Sequence, residues 1–320
     1  MGFRIIDADS AALRFIDEWN SASDFVEAHT SGSTGKPKTI RLAKADMIRS
    51  ATLTCNHFGI YSRSLLLSPL SADYVAGKMM IVRAIVADAE IIIQTPSNRI
   101  SLPKRTIDLL PVVASQLPYL IESGQLSRVK HLIVGGGAIP TSVENELCSC
   151  AVDAWATYGM TETCSHVALR HISAKENIFT ALDGVTFSTD ARNCLIITAP
   201  DFSFSPIVTN DIVDIINNRQ LKWLGRADNV IITGGKKVFP EDVERKISAA
   251  IEIGDFYITS RPSTKWGEEI ILVTDNYDID DDTLLARLRA ALVSHECPKA
   301  IVKRHIDKTP SGKIIRRKLQ

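Results

Sequence analysis

Four short apolar runs, LLLSPL at 65–70, EIIIQ at 90–94, HLIV at 131–134 and AWATY at 154–158, are separated by stretches with helical spacing of their apolar residues. Strands alternating with helices predict an α/β fold built on a mostly parallel sheet covered on both faces. The helix between the last two strands has a readable start. Pro140 precedes Thr141, and Glu144 stands three residues beyond Thr141, the spacing of a capping box. Ahead of it, the loop GGGAIP leaves a strand end, where open α/β sheets bind ligands and where glycines let a flat group approach the backbone.

Beyond about residue 185 the pattern turns to strand-like alternation, in CLIITAP and in DIVDIINNRQLKWLG, with Asn217 and Asn218 as a two-residue hairpin turn. This predicts an antiparallel annex to the sheet. After Gly225 come strand NVIIT and helix PEDVERKISAAI, with Pro240 in its first turn and Val243, Ile247 and Ile251 on one face. Strands DFYITS and EEIILVTD, helix DDTLLARLRAALVSH and a short strand AIVKR complete a small α+β domain. The polar, aperiodic GRADN is the candidate hinge, which divides the chain into a large domain at 1–226 and a mobile C-terminal domain at 227–320.

Composition narrows the classes. With 320 residues, 45% of them hydrophobic, the chain can fill two cores. Lys plus Arg and Asp plus Glu balance at 37 each, so no basic excess is available to follow nucleic acid or an anionic membrane. The opening MGFRIIDADS is interrupted by charge, and no later stretch approaches the roughly 20 apolar residues of a membrane span, so neither a leader nor an anchor is expected. Among the six cysteines only Cys148 and Cys150 stand close, too close for a zinc knuckle. A cytoplasmic protein without structural metal is the expectation.

Four segments carry chemistry. Thr30, Ser31, Gly32, Ser33, Thr34, Gly35, Lys36, Pro37 and Lys38 alternate hydroxyls and glycines around lysines, a composition that wraps phosphates with N–H groups, hydroxyls and positive charge. It is not a Walker A loop, because two residues separate the glycines and Pro37 follows the first lysine. A flexible Ser/Gly linker has a similar composition. In Tyr158-Gly159-Met160-Thr161-Glu162-Thr163, Tyr158 offers a flat face, Gly159 a tight exit from a strand, Thr161 a donor and Glu162 a magnesium ligand, although an ordinary turn can read the same way. Asp211 can accept the hydroxyls of a ribose with Arg226 beside it, or both can be surface charges. Turn residues at 309–312 present Lys313 near the chain end, where a solvated basic tail is the alternative.

In this order, TSGSTGKPK, GGGAIP, YGMTET, TND, GRADNVIITGGKKVFPEDVE and PSGK over residues 30–313 resemble the adenylate-forming superfamily of acyl-CoA ligases, luciferases and peptide-synthetase adenylation domains. YGMTETCSH and WLGRADNVIITGGKK most resemble o-succinylbenzoate CoA ligases of menaquinone biosynthesis. The resemblance implies a two-step reaction: a carboxylate attacks the α-phosphate of ATP and displaces pyrophosphate, then the thiol of coenzyme A cleaves the acyl-adenylate. It implies that the 30–38 loop embraces the β- and γ-phosphates and that Glu162 holds magnesium, with Thr161 beside it. Gly136, Gly137, Ala138 and Tyr158 would sandwich adenine, with Gly159 and Met160 completing the nucleotide site, while Asp211 and Arg226 grip ribose. Lys313 would bridge the carboxylate and the α-phosphate. Asp228 would be the pivot that exchanges Lys313 for the Gly234-Gly235 face in the thiol step.

A dicarboxylate such as o-succinylbenzoate keeps one carboxylate charged while the other reacts, so its pocket needs a buried cation or several donors. Arg83, inside the apolar run GKMMIVRAIVADA, is the candidate, because related ligases have an arginine at the matching place; the alternative is an arginine reaching solvent. Ser165 and His166 are further candidates for the same pocket. The chain departs from the family in three places. Only 29 residues precede the phosphate loop where the family carries an N-terminal subdomain, which implies a truncated large domain and makes a homodimer one way to cover the exposed flank. Thr39 replaces a usual glycine, and Asp73-Tyr74 stands where the family has an aromatic residue and a histidine. The rival readings are a ligase or carrier-loading enzyme for another acid, and a non-catalytic adenylate-binding protein.

Overall fold

The computed structural model describes residues 4–29, 39–173, 177–276, 278, 280–309 and 314–319. The 30–38 loop and Lys313 lie outside the described residues. The first half of the chain forms β1 (Arg4–Asp7), α1 (Ser10–Asn20), β2 (Phe25–His29), β3 (Thr39–Ala43), α2 (Lys44–Phe58), β4 (Leu65–Ser68), α3 (Val75–Ala87) and β5 (Glu90–Ile93). It continues through β6 (Ile107–Val113), α4 (Leu117–Glu122), β7 (Val129–Gly135), α5 (Thr141–Cys148) and β8 (Asp153–Gly159). The strands β9 (His166–His171), β10 (Phe179–Ala181), β11 (Thr186–Thr189), β12 (Cys194–Thr198), β13 (Ile207–Asn217) and β14 (Gln220–Arg226) follow.

Twelve of these strands make one sheet in the order β1-β5-β4-β6-β7-β8-β9-β10-β14-β13-β12-β11, while β2 and β3 pair with each other. Neighbours are parallel from β1 to β8 and antiparallel from β8 to β11. The antiparallel annex is therefore the second half of the same sheet. Burial of both faces explains the continuous apolar runs of the parallel half. Leu66, Leu109 and Ile133 enter a core with α1, α2 and α3. Leu65, Leu67, Leu110, Leu132 and Val134 enter a second core with α4 and α5. One glycine marks a close approach: a Cβ on Gly77 would lie 2.2 Å from the Ser71 carbonyl oxygen, which seats the start of α3 directly on the loop after β4.

Three local features differ from the sequence reading. Strand β6 is hidden by Pro111 within it, since proline argues against a sheet interior. Helix α5 starts at Thr141 without a side-chain cap, so the capping box does not form. Glu144 instead pairs with the buried Arg170 of β9, a charge-assisted contact that outcompetes a neutral cap. The hairpin turn is shifted by one residue, because Asn217 pairs with Gln220 and leaves Asn218 and Arg219 at the turn. The Asn217 side chain closes it, donating to Gln220 Oε1 at 2.8 Å and accepting the Arg219 N–H at 2.9 Å.

The last part of the chain comprises β15 (Ile231–Thr233), β16 (Lys236–Val238), α6 (Pro240–Ala250), β17 (Phe256–Ser263), β18 (Gly267–Thr274), α7 (Asp281–Ala291) and β19 (Ala300–Lys303). Its strands form a separate sheet, with β19 parallel to β18 and the other pairs antiparallel. Val243 and Ile247 of α6 and Leu284 and Leu288 of α7 cover it through Ile231, Ile270 and Leu272. The change of sheet falls at GRADN, where β14 ends at Arg226 and Ala227–Asn229 form a 3-10 turn. No described helix is long and apolar enough to cross a membrane.

Candidate active site

Adjacent parallel strands β7 and β8 deliver two motifs to one end of the sheet. After β7, Gly136 takes a φ of +86°, a conformation that favours glycine, and Gly136, Gly137 and Ala138 are exposed. After β8 the chain folds back at once, with Gly159 opposite His166. A Cβ on Gly159 would lie 2.3 Å from the Ser165 carbonyl oxygen and 2.5 Å from His166 Cα, so no side chain fits. The reversal is a 3-10 turn, Thr161–Thr163, tied by Thr163 Oγ1, which accepts the Met160 N–H at 3.0 Å and donates to the Ser165 carbonyl at 2.7 Å. Cys164 completes it at a φ of +61°, a strained value for a residue with a side chain. The turn leaves Glu162 exposed, Thr161 and Met160 half-buried, and Thr163 buried. Gly159→Ala is expected to destabilise the protein by about 1–3 kcal/mol in urea unfolding, because the clash is with backbone that cannot rotate away.

A second group gathers around Asp211. The Tyr158 hydroxyl donates to Asp211 Oδ2 at 2.7 Å, and Arg226, registered opposite Asp211, lies 3.5 Å from Oδ1. Asp228 accepts from Arg226 and from Asn210, each at 3.4 Å. Burial first, and the Asp211 carboxylate next, hold the Tyr158 hydroxyl well above the usual phenol range, so it remains a donor. The Tyr158 ring is 8% exposed and packs against Phe179. Tyr158, Asp211, Arg226 and Asp228, distant in sequence, thus form one hydrogen-bonded group.

The third group joins α3 to the residues just after Glu162. Arg83 is 2% exposed and donates through Nη2 to Ser165 Oγ at 2.6 Å. Nη1 has only the weak acceptor Met80 Sδ at 3.6 Å, and Nε has no partner among the described residues. Burial lowers the Arg83 pKa to about 10, which leaves the guanidinium charged at neutral pH. A buried cation without a carboxylate partner is costly unless an anion arrives. Next to Ser165, His166 is also buried, with Ser165 Oγ 3.3 Å from Nδ1 and Thr54 Oγ1 3.2 Å from Nε2. The structure thus brings Arg83, Ser165 and His166 together and excludes an Arg83 side chain reaching solvent. Thr54, on α2, was not singled out by sequence; the signal was a threonine set among Met47, Ala51, Cys55 and Phe58 on the buried face of α2.

Gly234 and Gly235 belong to the second sheet, as the two-residue turn between β15 and β16, with φ values of +54° and +76°. Trp266 lies against Gly234, whose N–H donates to the Trp266 carbonyl at 2.9 Å. Among the described residues no group of three or more His, Cys, Asp or Glu side chains could hold a metal by itself.

Strand-end glycines, an exposed glutamate and a buried aspartate paired with the half-exposed Arg226 stand on one mixed α/β sheet, at the strand ends where such folds bind ligands. The model of the AMP-binding enzyme family matches residues 16–186, more than half of the chain, and the chain belongs to that family. It is similar to the 2-succinylbenzoate–CoA ligase of Haemophilus influenzae, 24% identical over 299 residues that cover 85% of this chain and 65% of that enzyme. The chain thus spans just under two-thirds of that relative's length. An acyl-CoA synthetase (AMP-forming)/AMP-acid ligase II-like protein from Dyadobacter fermentans is 31% identical, with a TM-score of 0.64, covering 95% of this chain and 91% of its own. The o-succinylbenzoate CoA synthetase of Bacillus subtilis, solved with its acyl-adenylate intermediate, shares the fold at a TM-score of 0.78 and 18% identity, over 91% of this chain and 67% of that one.

Proposed function

We propose that this chain is an AMP-forming acid–thiol ligase that adenylates o-succinylbenzoate with ATP and transfers the acyl group to coenzyme A. The observation that carries the choice of acid is Arg83, a buried cation with unfilled donors, tied to Ser165 three residues from Glu162. A dicarboxylate would place its non-reacting carboxylate on Arg83, and the charge-assisted bonds would position the other carboxylate for attack on the α-phosphate. The curated relatives named for this acid support the reading.

In this reading the 30–38 loop wraps the β- and γ-phosphates, residues 136–138 border the adenine, and Asp211 takes the ribose hydroxyls with Arg226 fixing its carboxylate. A single exposed carboxylate such as Glu162 suits magnesium, which usually keeps several waters and binds through one or two carboxylates and substrate phosphates. That ion, when bound, offsets phosphate charge. Lys313 supplies the positive charge that the α-phosphate needs as pyrophosphate leaves. The part of the chain from 227 onward turns about Asp228, and the Gly234-Gly235 turn then replaces Lys313 while the thiol attacks.

ATP-dependent pyrophosphate release with a panel of carboxylic acids, with and without coenzyme A, tests the proposal. Release is expected with o-succinylbenzoate and not with its analogue lacking the non-reacting carboxylate. The 31% identical relative bears a name that specifies no acid, so a ligase for a different carboxylic acid is the second reading, and a response to another acid alone would establish it. A nucleotide-binding protein without catalysis would release no pyrophosphate with any of them.

A further inference from the structure

Behind Arg83 a line of hydrogen bonds runs through Ser165 and His166 into α2. His166 Nε2 lies 3.2 Å from Thr54 Oγ1, and Thr54 Oγ1 donates to the Ser50 carbonyl one turn back at 3.1 Å. Each hydroxyl carries one proton, so the contacts can be assigned by counting. Thr54 spends its proton on Ser50, and its oxygen therefore accepts from His166 Nε2–H. Burial first, and the Arg83 charge next, hold the imidazole pKa well below its usual value, so the ring is neutral and Nδ1 carries a lone pair. Nδ1 accepts the Ser165 hydroxyl proton, and Ser165 Oγ is left to accept from Arg83 Nη2.

The other tautomer breaks this count. With Nδ1 protonated, His166 and Arg83 would both donate to Ser165 Oγ, which would have to turn its own proton away from both. Thr54 would also have to abandon Ser50 to supply Nε2 with a donor. Thr54 is fully buried, so no solvent contact can make up the difference.

We propose that Thr54 is a positioning residue for recognition of the acid: it fixes His166 as the Nε2–H tautomer, which orients Ser165 as an acceptor and aims the Arg83 guanidinium at the acid's carboxylate. The proposal rests on Arg83 being the carboxylate anchor. Thr54 touches neither acid nor nucleotide in this scheme. Its hydroxyl acts through two intermediaries, and its loss should alter acid affinity more than turnover.

Thr54→Val keeps the side-chain shape and removes the hydroxyl. In the full chain labelled with nitrogen-15 histidine, wild-type His166 is expected to show a protonated Nε2 and an unprotonated Nδ1. Thr54→Val should lose that pattern and raise the KM for o-succinylbenzoate about tenfold, with kcat and the KM for ATP near wild type. Thr54→Ser should restore both. A protonated Nδ1 in wild type overturns the proposal, as does a Thr54→Val variant that retains the tautomer and the KM. Should Thr54→Val fail to fold, the wild-type spectrum and the Thr54→Ser KM still decide. The spectrum needs no substrate: an Arg83→Met variant with unchanged acid KM would sink the anchor alone, leaving the tautomer assignment standing.

Discussion

Lys313→Ala is expected to slow acyl-adenylate formation by about a hundred- to a thousandfold, the usual cost of removing a preorganised charge partner from a transition state. The same variant should convert chemically supplied acyl-adenylate to thioester at close to the wild-type rate. In the proposed mechanism the two half-reactions separate because Lys313 would be needed only while negative charge develops around the α-phosphate, whereas the thiol step would use the Gly234-Gly235 turn. That turn and residue 313 both follow the changeover between the two sheets at GRADN, so rotation about Asp228 would move them together. Single-turnover assays of each half-reaction provide the measurement. Equal loss in both steps would show that domain alternation is not the mechanism.

Arg83→Met should raise the KM for o-succinylbenzoate by roughly a hundredfold, as expected when one partner of a buried charge pair is removed, while the KM for ATP stays unchanged. Methionine can follow the same apolar path beside Met80, and it removes a buried cation that has no counter-ion among the described residues. Folding stability is therefore expected to hold or rise, read as the midpoint of urea unfolding. Paired loss of stability and of affinity for both substrates would instead mark Arg83 as part of the scaffold. A substrate anchor and a scaffold element thus predict stability changes of opposite sign.

Two sets of the residues that chemistry marks in the sequence gather into connected groups, one around Asp211 and one around Arg83. Tyr158, Asp211, Arg226 and Asp228 stand on three strands and a turn, and nothing in their spacing shows that the Tyr158 hydroxyl would reach Asp211. Such contacts depend on sheet order, here the placement of β13 and β14 beyond β10, which periodicity does not encode. Arg83 was legible because a charge inside an apolar helix is conspicuous. Thr54 was not, since threonine is unremarkable in a helix until the residue facing it is known. Strands β1, β2 and β3 were also unread, since runs of four or five residues offer too few positions to establish a period. Strand β6 was masked by Pro111, and the missing cap of α5 followed from Arg170, a partner far away in sequence.

The proposed reaction requires this chain to make an acyl-adenylate from o-succinylbenzoate. Mass spectrometry of the enzyme-bound fraction, after mixing protein, magnesium, ATP and o-succinylbenzoate without coenzyme A, tests it directly. The expected product is o-succinylbenzoyl-adenylate bound to the wild-type enzyme, lost in Lys313→Ala and converted to the thioester when coenzyme A is added. No adenylate from this acid, under conditions where another carboxylic acid yields one, would contradict it.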